Sequence, residues 1–176
     1  MDAKEQGTIG QTLPFASEAH LQAAVANLVH VATERVFTTM ITEEFEFVNL
    51  EDLTDPGGEI LAMVGIAGRL SGVLSVHCTR GAGVTVAAGM LGMEPEEVDE
   101  DSDVLDAMGE LANIIAGNVK TELGAEGEPL SLSVPTVVTG RDFQVETLSS
   151  GVRVDLAVTA SGHPLRIGLV IEQSGE

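Results

Sequence analysis

Glu110 and Asn113 stand three residues apart in the stretch "DVLDAMGELANIIAGNVKTELG", residues 103–124. One brings a negative charge. The other brings an uncharged amide that both donates and accepts hydrogen bonds. At this spacing the two are neighbours on one side of a helix. Gly109 lies one turn before Asn113 and Gly117 one turn after it. A glycine inside a helix costs about 1 kcal/mol relative to alanine, so two of them around an acid and an amide call for a reason. Removing side chains there lets the surface of another molecule come close to Glu110 and Asn113. The other reading is that either glycine packs against another part of the same chain, and spacing alone leaves both open.

The element that must carry these residues is a helix over 103–123, ended by Gly124. At about 100° per residue, Val104, Met108, Leu111, Ala112, Ile115 and Val119 share one sector, which is the core face. Asp106, Gly109, Glu110, Asn113, Gly117 and Lys120 fall on the opposite side. A second long helix is expected from Ser17, its cap, to Met40, where Leu21, Ala24, Val25, Leu28, Ala32 and Val36 recur at helical spacing. "EEFEFVNL" alternates like a strand, and "EDLTDPGG" reads as a turn. "EILAMVGIAG" and "RLSGVLSVHC" form a hairpin about Gly68, and "GAGVTVAAGMLGM" a short helix. "EPEEVDEDSD" reads as a solvated acidic connector, lacking the spaced acids and central glycine of an EF-hand loop. Three more strand-like runs close the chain: "LSLSVPTVVTG", "VRVDLAVTA" and "PLRIGLVIE". Pro135 belongs at a sheet edge or bulge, because it cannot donate to a ladder.

Helix, about three strands, two helices and about three strands describe a duplicated unit, without a clear sequence repeat. Short links between strands imply antiparallel pairing. The expected fold is α+β: an antiparallel sheet of about six strands with two long helices on one face. Residues 1–14 read as a lead-in and 15–176 as a single domain.

Composition narrows the function classes. Of 176 residues, 28 are acidic and 8 basic, a net charge of −20. A field of that sign repels phosphate backbones and anionic lipid heads. With no Trp, no Tyr and five Phe, no aromatic platform exists for stacking bases. Nucleic acid and membrane surfaces are therefore not expected as partners. No apolar run reaches the roughly eighteen residues of a membrane span, and the N-terminus carries no secretory pattern. The single cysteine, Cys78, cannot form an internal disulfide, and a cytoplasmic address follows as the simplest expectation. Cys78 lies in a strand-like run and reads as a buried structural thiol. His20, His30, His77 and His163 show no ligand spacing, so no metal site is expected. No GxxxxGK[ST] or GxGxxG stretch marks a nucleotide site.

"DAMGELANIIAGNVKTEL" resembles the signature helix of the CheC/CheX family of chemotaxis phosphatases, an acid and an asparagine spaced ExxN and followed by a glycine. Here these are Glu110, Asn113 and Gly117. "LSLSVPTVVTG" is similar to the family's serine-proline strand ending in glycine. The resemblance spans nearly the whole chain and is to CheX in particular, which has one such active helix. The first long helix departs from the motif, with Phe37 where Glu34 would need its asparagine, and Ala24 where Asn27 would need its acid. A second ExxN, Glu46 to Asn49, lies in a strand pattern that points the two side chains to opposite faces.

The resemblance implies hydrolysis of the phosphoaspartate of a phosphorylated CheY-like receiver domain. Asn113 would hold a water in line with the phosphorus–oxygen bond, and Glu110 would grip a lysine of the receiver. Gly109 and Gly117 would admit the partner's surface, with Asp106 and Lys120 at the rim. No cofactor of its own is implied, and Mg²⁺ would reside in the receiver. The rival is a non-catalytic docking module that binds a receiver or another signalling protein. A third reading is a structural relative of flagellar switch proteins. CheX resemblance also implies a homodimer, and runs such as "VRVDLAVTA" and "PLRIGLVIE" carry few of the lysines and prolines that protect open sheet edges, although which strand forms the edge is left open.

Overall fold

A computed structural model describes residues 18–41, 44–53, 58–124, 129–141 and 151–174. The expected lead-in at 1–14 and the expected cap Ser17 lie outside these residues, as does part of the "EDLTDPGG" turn. The chain runs α1 (Glu18–Met40), β1 (Phe45–Val48), β2 (Ile60–Ala67), β3 (Leu70–Cys78), α2 (Arg80–Leu91), α3 (Asp103–Gly124), β4 (Ser131–Leu132), β5 (Thr136–Thr139), β6 (Val152–Ala160) and β7 (His163–Gln173).

Every strand pairing is antiparallel. The hairpins β2–β3 and β6–β7 meet through β3 and β7 at the centre of the sheet. β1 pairs with β6, and β5 pairs with β2. The first strand of each half therefore borders the hairpin of the other half. This is the topology of a duplicated unit, one helix and three strands, with α1 and α3 as the equivalent helices. The β6–β7 hairpin turns through Ser161 and Gly162, at φ 46 and 79, the two positive values that a tight two-residue hairpin turn demands.

The sheet holds seven strands rather than about six, because "LSLSVPTVVTG" is split. β4 and β5 both pair with β2, and the break falls at Ser133, Val134 and Pro135. Pro135 has no N–H for the ladder, as its sequence position foretold. Ser133 substitutes locally: its N–H donates to Gly65 O at 2.9 Å, and Gly65 N–H donates to Ser133 Oγ at 2.8 Å.

The helices cover one face. Alternate strand residues, Ile60, Ala62, Val64 and Ile66 on β2 and Leu165, Ile167 and Leu169 on β7, join Val25, Val29, Val86 and Ile115 in one core. Two long helices were expected there, and α2 joins them as a third element against β6, β7 and α3. Gly83 makes that possible. A Cβ on it would stand 2.7 Å from Val104 Cγ1 and 3.0 Å from Ile60 Cδ1. Gly83→Ala is expected to lower stability by about 1–3 kcal/mol through overpacking. An unchanged urea midpoint would show that Val104 and Ile60 turn aside freely.

The other face of the sheet is more polar. Asp155 accepts from Arg153 Nε at 2.9 Å and from Arg166 Nε at 3.1 Å. Burial works to raise its carboxyl, but the hydrogen bonds and charges of the two arginines prevail and hold it below the usual carboxylate range.

The sequence left the edge strands unassigned. "PLRIGLVIE" lies in β7, which is paired on both sides, and so is no edge. "VRVDLAVTA" forms β6, paired with β7 along its length and with β1 only through Ala157–Ala160. The outermost strands are β1 on one side and β4 and β5 on the other. Few lysines and prolines marked these runs because central strands need no protection either.

Candidate active site

α3 packs against both α1 and α2 and lies over β2 and β3. Val104, Met108, Leu111, Ala112, Ile115 and Val119 are all fully buried, as their spacing required. Both ends of the helix are fixed. Ahead of it, Asp99 O accepts from Asp103 N–H at 3.0 Å, and Asp99 Oδ1 accepts from Ser102 N–H at 2.8 Å. The Ser102 bonds, followed by one from Asp101, hold the Asp99 carboxyl below its ordinary range. Asp103 Oδ2 returns the contact by accepting from Asp99 N–H at 2.9 Å. The acidic connector, read as a solvated linker, is thus a structured lead-in to α3, with a 3₁₀ turn at Pro95–Glu97 and Val98 buried.

At the other end α3 runs through Gly124 rather than stopping before it. Its last turn carries no basic residue of its own. Arg69, from the β2–β3 turn, supplies one: its Nη2 donates to Leu123 O at 2.6 Å. A cation on a late carbonyl satisfies an open acceptor and opposes the negative end of the helix dipole.

The outward side of α3 presents Glu110 exposed and Asn113 half-buried. Among the described residues neither side chain makes a hydrogen bond or ion pair, so both are available to another molecule. Asp106 is exposed and Lys120 half-buried on the same side, and neither side chain makes an ion pair. A Cβ on Gly117 would meet nothing within 4 Å. Gly117 therefore opens onto space, and no neighbour among the described residues requires it.

Gly109 differs. It is buried, and a Cβ on it would meet Val137 Cγ2 at 3.5 Å and Pro135 Cβ at 3.6 Å. The edge segment after Ser133 folds over it. Of the two readings of the paired glycines, cover by another part of the chain holds for Gly109, where a Cβ would still make only ordinary van der Waals contact, and open clearance for Gly117. At about 100° per residue Gly109 borders the core stripe beside Ala112 and Gly117 lies opposite it, but the segment that covers Gly109 lies 26 residues further on (135 against 109).

The remaining constellations resolve simply. Phe37 is fully buried in the core while Glu34 is exposed, so α1 carries no second acid–amide pair. Asn49 donates from Nδ2 to Asp52 Oδ2 at 3.0 Å, holding the turn after β1. His30 stacks on Phe47 with ring centroids 4.0 Å apart. Burial, and secondarily the Glu59 carboxylate, push the Cys78 thiol up to about 12, which leaves it protonated near neutrality and unsuited to attack. Among the described residues no group of three His, Cys, Asp or Glu side chains could hold a metal ion. No described helix is long and apolar enough to cross a membrane.

Comparison with known proteins places these features. A family model described as chemotaxis phosphatase CheX matches residues 60–157, which include β2, β3, α2, α3 and the edge segment. The CheY-P phosphatase CheX of Thermotoga maritima is 30% identical over 100 residues, covering 56% of this chain and 63% of that protein. The matched region thus spans somewhat under two thirds of that relative's length. The fold is similar to the CheX crystal structure from Vibrio vulnificus, at TM-score 0.71 and 22% identity over 86% of this chain and 98% of that one. It is also similar to the CheX–CheY–BeF₃–Mg²⁺ complex from Borrelia burgdorferi, at TM-score 0.68 and 19% identity over 84% and 97%.

Proposed function

The chain belongs to the chemotaxis phosphatase CheX family, and we propose that it hydrolyses the phosphoaspartate of a CheY-like receiver domain. The observation that carries this reading is Asn113: an amide on the outer side of a helix fixed at both ends, with no partner among the described residues and an open glycine one turn away.

An acyl phosphate is already activated, and phosphoryl transfer asks for positioning and charge stabilisation more than for a strong base. Asn113 would hold a water in line with the phosphorus. As the new oxygen–phosphorus bond forms, the bond to the aspartyl oxygen breaks. The aspartate leaves as a carboxylate, and the water's protons pass to the phosphate and solvent. In a loose transition state the water gives up its proton late, so a neutral amide suffices. Mg²⁺, held by the receiver, would offset the phosphoryl charge. Glu110 would take a basic side chain of the receiver and so fix the complex in register.

Incubation of the chain with phosphorylated CheY-like receivers, following phosphate release, tests the reading. Faster release than from the receiver alone is expected. Binding without acceleration would leave the docking module instead. Glu110→Ala is expected to raise KM for the receiver about tenfold with a smaller change in kcat, and a loss confined to kcat would assign Glu110 a role in the chemical step.

A homodimer is also proposed. β1, the β4–β5 segment and the part of β6 before Ala157 each have one side unpaired among the described residues. Two-fold pairing of such an edge satisfies backbone groups on both copies. Two chains of −20 repel, so added salt is expected to tighten the dimer by screening. Sedimentation at low and moderate salt checks this, and a monomer at micromolar concentration under both would remove the dimer.

A further inference from the structure

We propose that Val134, at the tip of the Ser133–Pro135 break, is an apolar anchor that docks the receiver domain beside Asn113. This rests on the phosphatase reading for the identity of the partner. Val134 is 82% exposed, the most exposed of the large hydrophobic residues described. The next is Leu91, at 50%. A single exposed valine needs no explanation on a mobile loop, but this one is held rigidly. Ser133 is tied to Gly65 by the two bonds given above, and its hydroxyl donates to Val134 O at 2.9 Å. On the other side Pro135 fixes its own φ and lies against Gly109. The backbone on both sides of Val134 is thus immobilised, with its one apolar side chain directed into water.

Its position says what covers it. Pro135 rests on Gly109, and Gly109 precedes Asn113 by one helical turn, about 5.4 Å. One partner's share of an ordinary protein interface is about 800 Å². A receiver centred on Asn113 therefore reaches the segment next to Gly109. Because this backbone is already ordered, burying Val134 incurs little further loop entropy. Gly109, covered by this segment, joins the two parts: Pro135 lies over α3 there and carries Val134 toward the site. The receiver would offer a basic group to Glu110 and an apolar recess to Val134.

The test compares the wild-type chain, Val134→Ser and Val134→Leu for binding to CheY-like receivers of the same organism. Each receiver is held in its active form by beryllofluoride and Mg²⁺. Val134→Ser is expected to raise Kd about tenfold, as loss of an apolar anchor does, and Val134→Leu to stay near wild type. Equal Kd for Val134→Ser and wild type overturns the proposal. So does a serine variant that dissociates the homodimer while its protomers bind the receiver unchanged, since Val134 then serves self-association. If no receiver binds the wild type, this proposal and the phosphatase reading fall together. If a receiver binds, weakens with serine and is never hydrolysed, the anchor stands and the phosphatase reading fails.

Discussion

Asn113→Ala is expected to slow receiver dephosphorylation by about a hundred- to a thousandfold, the loss typical of removing one precisely aimed polar group from a preorganised site. Its stability should stay within about 0.5 kcal/mol of wild type. The second expectation follows from the structure directly. Asn113 is half-exposed and bonds to nothing among the described residues, so truncation leaves no buried polar group there unsatisfied. Alanine is also the better helix former. Receiver affinity should change little, because the amide acts on the water rather than on the docked surface. Stopped-flow measurement of phosphate release at saturating receiver, alongside a urea titration, separates the outcomes. Equal rates for wild type and Asn113→Ala would show that the amide does not place the water. A large fall in stability would instead mark Asn113 as part of the fold.

The sequence carried the site helix well because its signals are local. The apolar stripe from Val104 to Val119 fixes which side of α3 is buried, and all six residues of that stripe are in the core. The β2–β3 hairpin and α2 were legible for the same reason, since turn chemistry and periodicity operate within a few residues. What was not legible depends on residues far apart in the chain. Gly109 is covered by Pro135 and Val137, which come from a distant segment of the chain. The C-terminal cation of α3 comes from Arg69, 54 positions before Leu123, so no last-turn signal exists for it. Which strand forms an edge was not legible: "PLRIGLVIE" carries few of the residues that protect edges, yet β3 and β6 pair with both its sides. A central strand needs no such protection. The splitting of "LSLSVPTVVTG" was half-legible: Pro135 announced a break, but the bond between Gly65 and Ser133 that shapes it spans 68 positions.

Gly117 gives the sharpest separation of function from stability, because the two should move in opposite directions. Open space surrounds the position of its missing Cβ, so a side chain there disturbs nothing within the chain. Gly117→Ala should therefore raise stability by about 0.5–1 kcal/mol, through the reduced backbone entropy of the unfolded state. For a domain of this size that corresponds to a rise of roughly 1–4 °C in Tm. The same methyl adds about 1.5 Å of carbon on the side of α3 that must approach the receiver. A displacement of about 1 Å between an attacking group and its target can cost a hundredfold in rate. A partner that packs closely over Gly117 should be held off by alanine and further by a longer chain. Gly117→Ala is expected to lower kcat/KM for the phosphorylated receiver about tenfold, and Gly117→Gln about a hundredfold, with both variants at least as resistant to heat as the wild type. The graded loss matters, since clearance depends on size and helix propensity does not. If both variants dephosphorylate the receiver at the wild-type rate, no surface comes close to α3 at that turn. If both instead lose stability along with activity, Gly117 serves the chain's own packing.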